Sequence, residues 1–327
     1  MTTAQAPSSP RIAALLWNIH IDAAIVEVGE ALKARGVASV VLKGPALAEW
    51  YGPDSDRTYV DGDLWVSPSQ VSLAEEVLAQ LDFVPALEEG DLPAWWLHHA
   101  SAWTRRRDGA TIDLHRRLQT VHRDAEEVWS FLLPQCEEFL IGGKTALRLP
   151  EAARILHITL HACHHGGADP RGLRHLRAAI ESRGAADNLW LAAWGLAQEI
   201  DAASAFSAGL RLTPQGKELA QRLQIPSMVG AESSLLAMGP VPVAMGFYQL
   251  SQASGMGRLE VLLRKCFPPA GFIRNWWRPA QRSYGWLIVG YIYRLVWLVR
   301  HCPSGYRRWR KVQKATRRSS LRMPLGN

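Results

Sequence analysis

The sequence predicts an α+β protein, and three patterns carry that prediction. Short apolar runs bounded by turn residues, among them Val40 to Leu42, Leu64 to Val66 and Thr111 to Leu114, read as strands and lie in the first half. Segments with apolar residues at helical spacing stand before and between them. From Gly172 to Leu223 the pattern becomes helix after helix. The 327 residues divide accordingly into an α+β region at 1–149, a helical region at 150–260 and a basic, aromatic-rich C-terminal helix and tail at 261–327.

Taken in order, Arg11 to Arg35 places Ile12, Leu15, Ile19, Val26 and Leu32 near helical spacing, with Gly36 as a stop. This predicts an amphipathic helix packed on the sheet. Val40 to Leu42 ends at Lys43-Gly44, and a short helical piece and the polar loop Gly52 to Thr58 lead to Asp61-Gly62-Asp63-Leu64-Trp65-Val66. Ser67-Pro68-Ser69 is a helix start with an early proline, and Phe83-Val84 opens the next strand. Trp95 to Arg107 is expected to pair as a hairpin with Ala110 to Leu114 across Asp108-Gly109. Phe139 to Leu149 forms a second hairpin around Gly142-Gly143. Glu151 onward is helical, with His157, His161 and His164 on one face at i, i+4 and i+7. With no His-Glu-x-x-His and no cysteine pair nearby, no structural zinc is expected there, and the face is read as lining a cleft. Trp190 and Trp194, four apart, predict core, and Gly239-Pro240-Val241-Pro242 marks a joint.

Composition narrows the class. Hydrophobic content of 48% with 20% charged residues is that of a globular chain. Cys136, Cys163, Cys266 and Cys302 are widely spaced, which argues against a disulfide framework or a zinc ribbon. Met1 to Pro10 is polar, so a cytoplasmic protein is expected. The net charge of +7 conceals an asymmetry. Fifteen of the 37 Lys and Arg lie after Glu260, where there is no Asp or Glu, leaving 22 basic against 30 acidic residues in the rest. An acidic body carries a basic end, which speaks of partners rather than of fold.

Within that end, Ser283 to Val299 is apolar and aromatic, with Arg294 inside it. A bilayer span takes about 20 apolar residues, and a central arginine is costly. An interfacial helix with aromatic anchors and basic flanks fits the pattern better, with a buried helix or a membrane-inserted one as the alternatives. Tyr306 to Arg322 reads as a mobile polycation. An anionic membrane surface or another polyanion is the expected partner of 261–327, giving a peripheral position at the inner membrane face.

Asp61 and Asp63 are the chemical centre. Side chains at i and i+2 on a strand share a face, so the two carboxylates sit side by side where the strand turns apolar. Such a pair repels unless a cation neutralises it, and Mg²⁺, held by few carboxylates plus substrate phosphates, is the usual resolution. Asp113 lies between Ile112 and Leu114 in a second alternating strand. If the strands are neighbours, it completes a cluster able to hold two metals. His115, two residues on, shares its face, while His98 and His99 come opposite in the hairpin. Arg105 to Arg107 read either as cations that meet the triphosphate or, as is usual for a charge run beside a turn, as a solvated surface set.

Leu42-Lys43-Gly44, Leu47 to Gly52, Arg57, Asp61 to Val66 and Ile112 to His115, in that order, resemble the nucleotidyltransferase-like family of bacterial proteins in the DNA polymerase β-type superfamily. The resemblance covers roughly Pro10 to Ile180. It implies a small mixed β-sheet with flanking helices, the nucleotidyltransferase fold. It also implies Mg²⁺ or Mn²⁺ on Asp61, Asp63 and Asp113, and nucleotide phosphates near Gly44. Lys43 and Arg57 would neutralise the triphosphate, and His115 would contact a phosphate or orient an acid. The superfamily's usual Gly-Gly or Gly-Ser pair is replaced by Lys43-Gly44-Pro45, and Arg174-His175-Leu176-Arg177-Ala178 stands where an acid-bearing helix is expected. The expected activity is transfer of a nucleoside monophosphate from an NTP, ATP foremost, to a hydroxyl of a small molecule or peptide natural product, with release of pyrophosphate. A nucleic-acid-directed enzyme using the basic tail and a non-catalytic docking protein are the alternatives. Three mutually repelling carboxylates argue against the latter.

Overall fold

The computed structural model describes residues 9–51, 58–86, 99–167, 170–228, 230–239 and 243–320. Its centre is one seven-stranded mixed sheet. The strands are β1 (Ser39–Val41), β2 (Gly62–Val66), β3 (Phe83–Pro85), β4 (Ala100–Arg105), β5 (Thr111–His115), β6 (Glu137–Ile141) and β7 (Lys144–Arg148), arranged β3-β4-β5-β2-β1-β7-β6. Both predicted hairpins form, β4 with β5 and β6 with β7, each antiparallel. β2 lies between β1, antiparallel to it, and β5, parallel to it. β3 follows β2 in the chain but pairs only with β4, at the sheet edge. The helix between β2 and β3 therefore carries the chain over two strands, a distance that local periodicity does not encode.

One face of the sheet is the main core. The long helix α1 (Ser9–Ala34) and α2 (Val71–Gln80) cover it, with Ile21, Ile25, Val28 and Leu32 packed on Leu64, Val66, Ile112 and Leu114. Residues 12–34 of α1 are long and apolar enough to cross a bilayer by length and composition. The buried side of its second half instead closes this core. Alternation along β2 sends Gly62, Leu64 and Val66 to that core and Asp63 and Trp65 to the other face. There Trp65 meets Trp129 of α3 (Ala125–Leu132) edge-on, ring centroids 4.7 Å apart.

The remaining helices are α4 (Glu151–His165), α5 (Pro170–Arg183), α6 (Asp187–Glu199), α7 (Ala203–Leu210), α8 (Pro214–Arg222), α9 (Ala231–Ala237), α10 (Ala244–Gln252), α11 (Met256–Cys266), α12 (Ala270–Trp276) and α13 (Tyr284–Ser320). Two compact units result. The first holds the sheet, α1 to α3, α4 as far as Ile158, and the chain from Arg177 to Ala202. The second includes α4 from Thr159, α5 as far as Leu176, and the chain from Ala203 onward. Trp190 is fully buried in the first unit, with its Nε1 donating to the Arg183 carbonyl at 3.0 Å, whereas Trp194 is only half-buried. Tyr306 to Ser320, expected to be mobile, continues α13 as helix.

Gly62 separates the two acids for a packing reason. A Cβ there would lie 2.5 Å from Ile25 Cγ1 and 2.9 Å from Ile112 Cδ1. The Asp-Gly-Asp order thus reflects how closely α1 approaches β2. Gly62→Ala is expected to cost about 1–3 kcal/mol, the range for overpacking a filled core. Urea unfolding should show a lower midpoint with an unchanged slope; an unaltered midpoint contradicts the close packing.

Candidate active site

The parallel pairing of β2 and β5 sets Asp63 opposite Asp113 and Trp65 opposite His115. Paired residues of neighbouring strands point to one face, so Asp63, Asp113 and His115 converge. One ligand atom from each lies within 4.8 Å of the others, and among the described residues this is the one such group of metal-capable side chains. Asp61 stands just before β2, two residues from Asp63 and partly exposed, and is not a member of that close group. Its charge is nonetheless felt by its neighbours. Arg57 and His98 lie outside the described residues.

Asp63 is 3% exposed, and its Oδ1 is held by two groups. Lys43 Nζ is 2.6 Å away and His115 Nε2 is 2.9 Å away. The same residue's backbone carbonyl accepts from Leu42 N–H at 3.0 Å. The structure thus gives Lys43 and His115 a partner that their sequence context did not name, the carboxylate of Asp63. His115 Nδ1 is buried without a hydrogen bond. Its ring lies 5.6 Å from that of His99, which in turn meets the Gln119 amide at 2.6 Å.

Electrostatics separate the three acids. Burial alone would raise Asp63, but the Lys43 charge and the His115 hydrogen bond outweigh it and hold the carboxyl well below its usual range. Asp61 is pushed up to about 6, first by burial and then by the charges of Asp63 and Asp113. Asp113 is raised by burial and by Asp63. Lys43 is raised despite its burial, because Asp63, and more distantly Asp61 and Asp113, favour its ammonium form. One firmly ionised acid therefore sits among two that hold their protons more tightly.

The strand-to-helix turn beside the acids is built to be rigid. Gly44 has φ +58°, in the left-handed region that favours glycine, and opens a 3-10 helix, Gly44–Trp50, with Pro45 at its start. Arg154 of α4, 1% exposed, donates to the Ala46 carbonyl at 3.0 Å, pairs with Glu49, and lies over the Trp50 ring. On the other flank Tyr59 takes Asn18 Oδ1 with its N–H at 3.2 Å and gives its hydroxyl to Asp22. Sequence reasoning missed Arg154, Asn18, Asp22 and Tyr59 as supports. For Arg154 the available signal was a charged residue among the apolar positions of an amphipathic helix.

One expectation is corrected here. Arg105 is not a phosphate-facing cation. It is 3% exposed, bound to Glu27 of α1 and to Asp108 at the hairpin turn, and Arg107 shares Glu27. A charge run beside a turn has become an internal clamp between β4 and α1. His157 and His161 are buried, and within the second unit the His161 ring lies tilted against that of His165, with centroids 4.3 Å apart.

A sequence profile described as "Uncharacterised nucleotidyltransferase" matches residues 11–215, and the chain belongs to that family. It is a nucleotidyltransferase by family. No curated protein matches. Among solved structures, the antibiotic-resistance factor ANT(2'')-Ia in solution is 16% identical, over 58% of this chain and 95% of its own, with a TM-score of 0.38. The same enzyme in complex with adenylyl-2''-tobramycin gives 16%, 54% and 97%, with a TM-score of 0.40. The lincosamide antibiotic adenylyltransferase LnuA in its lincomycin-bound form gives 11%, 52% and 95%, with a TM-score of 0.31. No residue role is carried over from these distant likenesses.

The close group offers two carboxylates and a histidine nitrogen, a set that could hold a divalent cation. The same crowding makes a prediction for the metal-free protein. Asp61 has a folded pKa of about 6 against 3.8 ordinarily, so its ionised form costs stability above pH 6 and nothing below pH 4. Asp61→Asn should therefore stabilise the apo-protein by roughly 1–2 kcal/mol at pH 7.5, after allowing for its partial exposure, and by close to nothing at pH 4. Thermal melts in chelator at the two pH values check it; an equal change at both contradicts the repulsion.

Proposed function

We propose that the protein moves a nucleoside monophosphate from an NTP, ATP foremost, to a hydroxyl of a small molecule or peptide. The observation that carries this reading is the facing register of Asp63 and Asp113 on neighbouring parallel strands beside a glycine-led turn. The acceptor oxygen bonds to the α-phosphorus, the bond from that phosphorus to the bridging oxygen breaks, and pyrophosphate leaves with the bonding pair. The hydroxyl proton passes to a base. Asp113 is suited to take it, since its surroundings favour the protonated form.

Asp61, Asp63 and Asp113 would hold Mg²⁺ or Mn²⁺, which when bound supplies charge neutralisation for the triphosphate and the leaving pyrophosphate. The chain's own residues prepare the ground. Lys43 and His115 keep Asp63 ionised at neutral pH and fix its direction. Gly44 sets the turn under the Tyr59 ring, and Arg154 and Tyr59 hold that turn still, so binding does not have to order it. Buried cations and fixed dipoles at such a site stabilise developing charge without reorganising.

The test is a thermal-shift series with ATP, GTP, CTP and UTP, each with and without Mg²⁺. One NTP should stabilise the protein by about 2–3 kcal/mol at a hundredfold excess over Kd, only with the metal. Asp63→Asn should abolish that shift while keeping the fold. A protein that none of the four stabilises contradicts the reading.

A further inference from the structure

The second unit ends in a surface that burial does not explain. Of the 23 exposed large hydrophobic side chains among the described residues, fourteen lie between Met256 and Tyr306. On α13, Ile288, Ile292, Val296 and Val299 follow one another at spacings of four, four and three, so they share one helix face, and they are 55–72% exposed. Further along the helix, Arg307, Arg310, Lys314 and Arg317 fall on the continuation of that face and are exposed. One side of the helix is thus apolar in its first half and basic in its second. α11 adds an exposed apolar set of its own, Met256, Leu259, Leu262 and Leu263.

The opposite side of α13 is occupied. Leu287 packs with Phe272, Ile273 and Ala280, and a Cβ on Gly290 would come 2.7 Å from Ile273. Farther on, Val312 packs with Leu235 and Ala244. Arg294, the charge inside the apolar run, turns to this inner side. It is 7% exposed, donates from Nε to the Lys265 carbonyl at 2.8 Å, and lies over the Phe272 and Trp276 rings. No charge therefore interrupts the outer apolar stripe from Ile288 to Val299. A helix packed along one side cannot span a bilayer alone, but its free side can lie in one.

We propose that the free face of α13, with the exposed apolar edge of α11, docks on an anionic lipid bilayer. Apolar side chains enter the headgroup boundary, and the basic second half of the helix meets lipid phosphates. Charge complementarity selects this occupant: 15 Lys and Arg lie after Glu260 with no acidic residue among them. A protein partner of ordinary composition would leave that excess unmatched, and a nucleic acid would leave the isoleucine and valine stripe without use. The inference does not rest on nucleotide transfer.

Sedimentation of the full chain with vesicles tests it, using phosphatidylcholine alone and phosphatidylcholine with phosphatidylglycerol. Binding to the anionic vesicles should be at least tenfold tighter and should weaken with salt. The double variants Ile292→Glu/Val296→Glu and Arg310→Glu/Lys314→Glu should each lower it at least tenfold, with circular dichroism and Tm unchanged, since all four residues are exposed. No binding to anionic vesicles at low salt overturns the proposal. So does binding that Ile292→Glu/Val296→Glu leaves intact and a DNA oligonucleotide competes away, which would mark a nucleic-acid grip. A wild-type dimer that ignores vesicles and becomes monomeric in Ile292→Glu/Val296→Glu would assign the face to a second copy and overturn it equally.

Discussion

Two carboxylates placed side by side in the middle of a sheet repel one another, and nearly everything local to Asp63 and Asp113 answers that repulsion. Their proximity is imposed by backbone pairing: once β2 and β5 run parallel in register, the side chains have no choice of face. The apolar alternates of the same strands, Leu64 and Val66, Ile112 and Leu114, fix that register, because a one-residue slip would put aspartates into the α1 core. Packing energy on one face of the sheet thus sustains electrostatic strain on the other. Lys43 and His115 offset part of it by pairing with the Asp63 carboxylate, and the rest appears as the raised affinity of Asp61 and Asp113 for protons.

This division explains what could be read from the residues alone. Spacing and alternation reveal which side chains share a strand face, so the convergence of Asp63, Asp113 and His115 was legible, and so were both hairpins. Partnerships formed across the chain were not. Lys43 reads as a cation near phosphate, yet its nearest anion is Asp63, a pairing set by the β1–β2 register. Arg154 is separated from Ala46 by 108 positions, and only the fold makes it the fastener of the Gly44 turn. Arg105 reads as a surface charge beside a turn and is instead held by Glu27, 78 positions earlier. The sheet-edge place of β3 was equally hidden, since a strand carries no local mark of its neighbour.

The C-terminal helix shows the same limit in another form. An arginine in an apolar run counts against insertion when only composition is known. Direction reverses the argument. Arg294 faces Phe272 and the Lys265 carbonyl, so its charge is met by protein and the outward stripe stays apolar. Thus the two units carry separate constraints: a crowded acidic centre at the sheet and an unmatched basic and apolar face on α13.

The central claim is that the aligned acids form a site for a divalent ion and a nucleotide together. Mn²⁺ binding followed by electron paramagnetic resonance tests it most directly, with and without ATP, in the wild type, Asp63→Asn and Asp113→Asn. The account predicts saturable binding in the wild type that ATP tightens, and at least tenfold weaker binding in each variant. Equal Mn²⁺ uptake by all three proteins, unaffected by ATP, would contradict it.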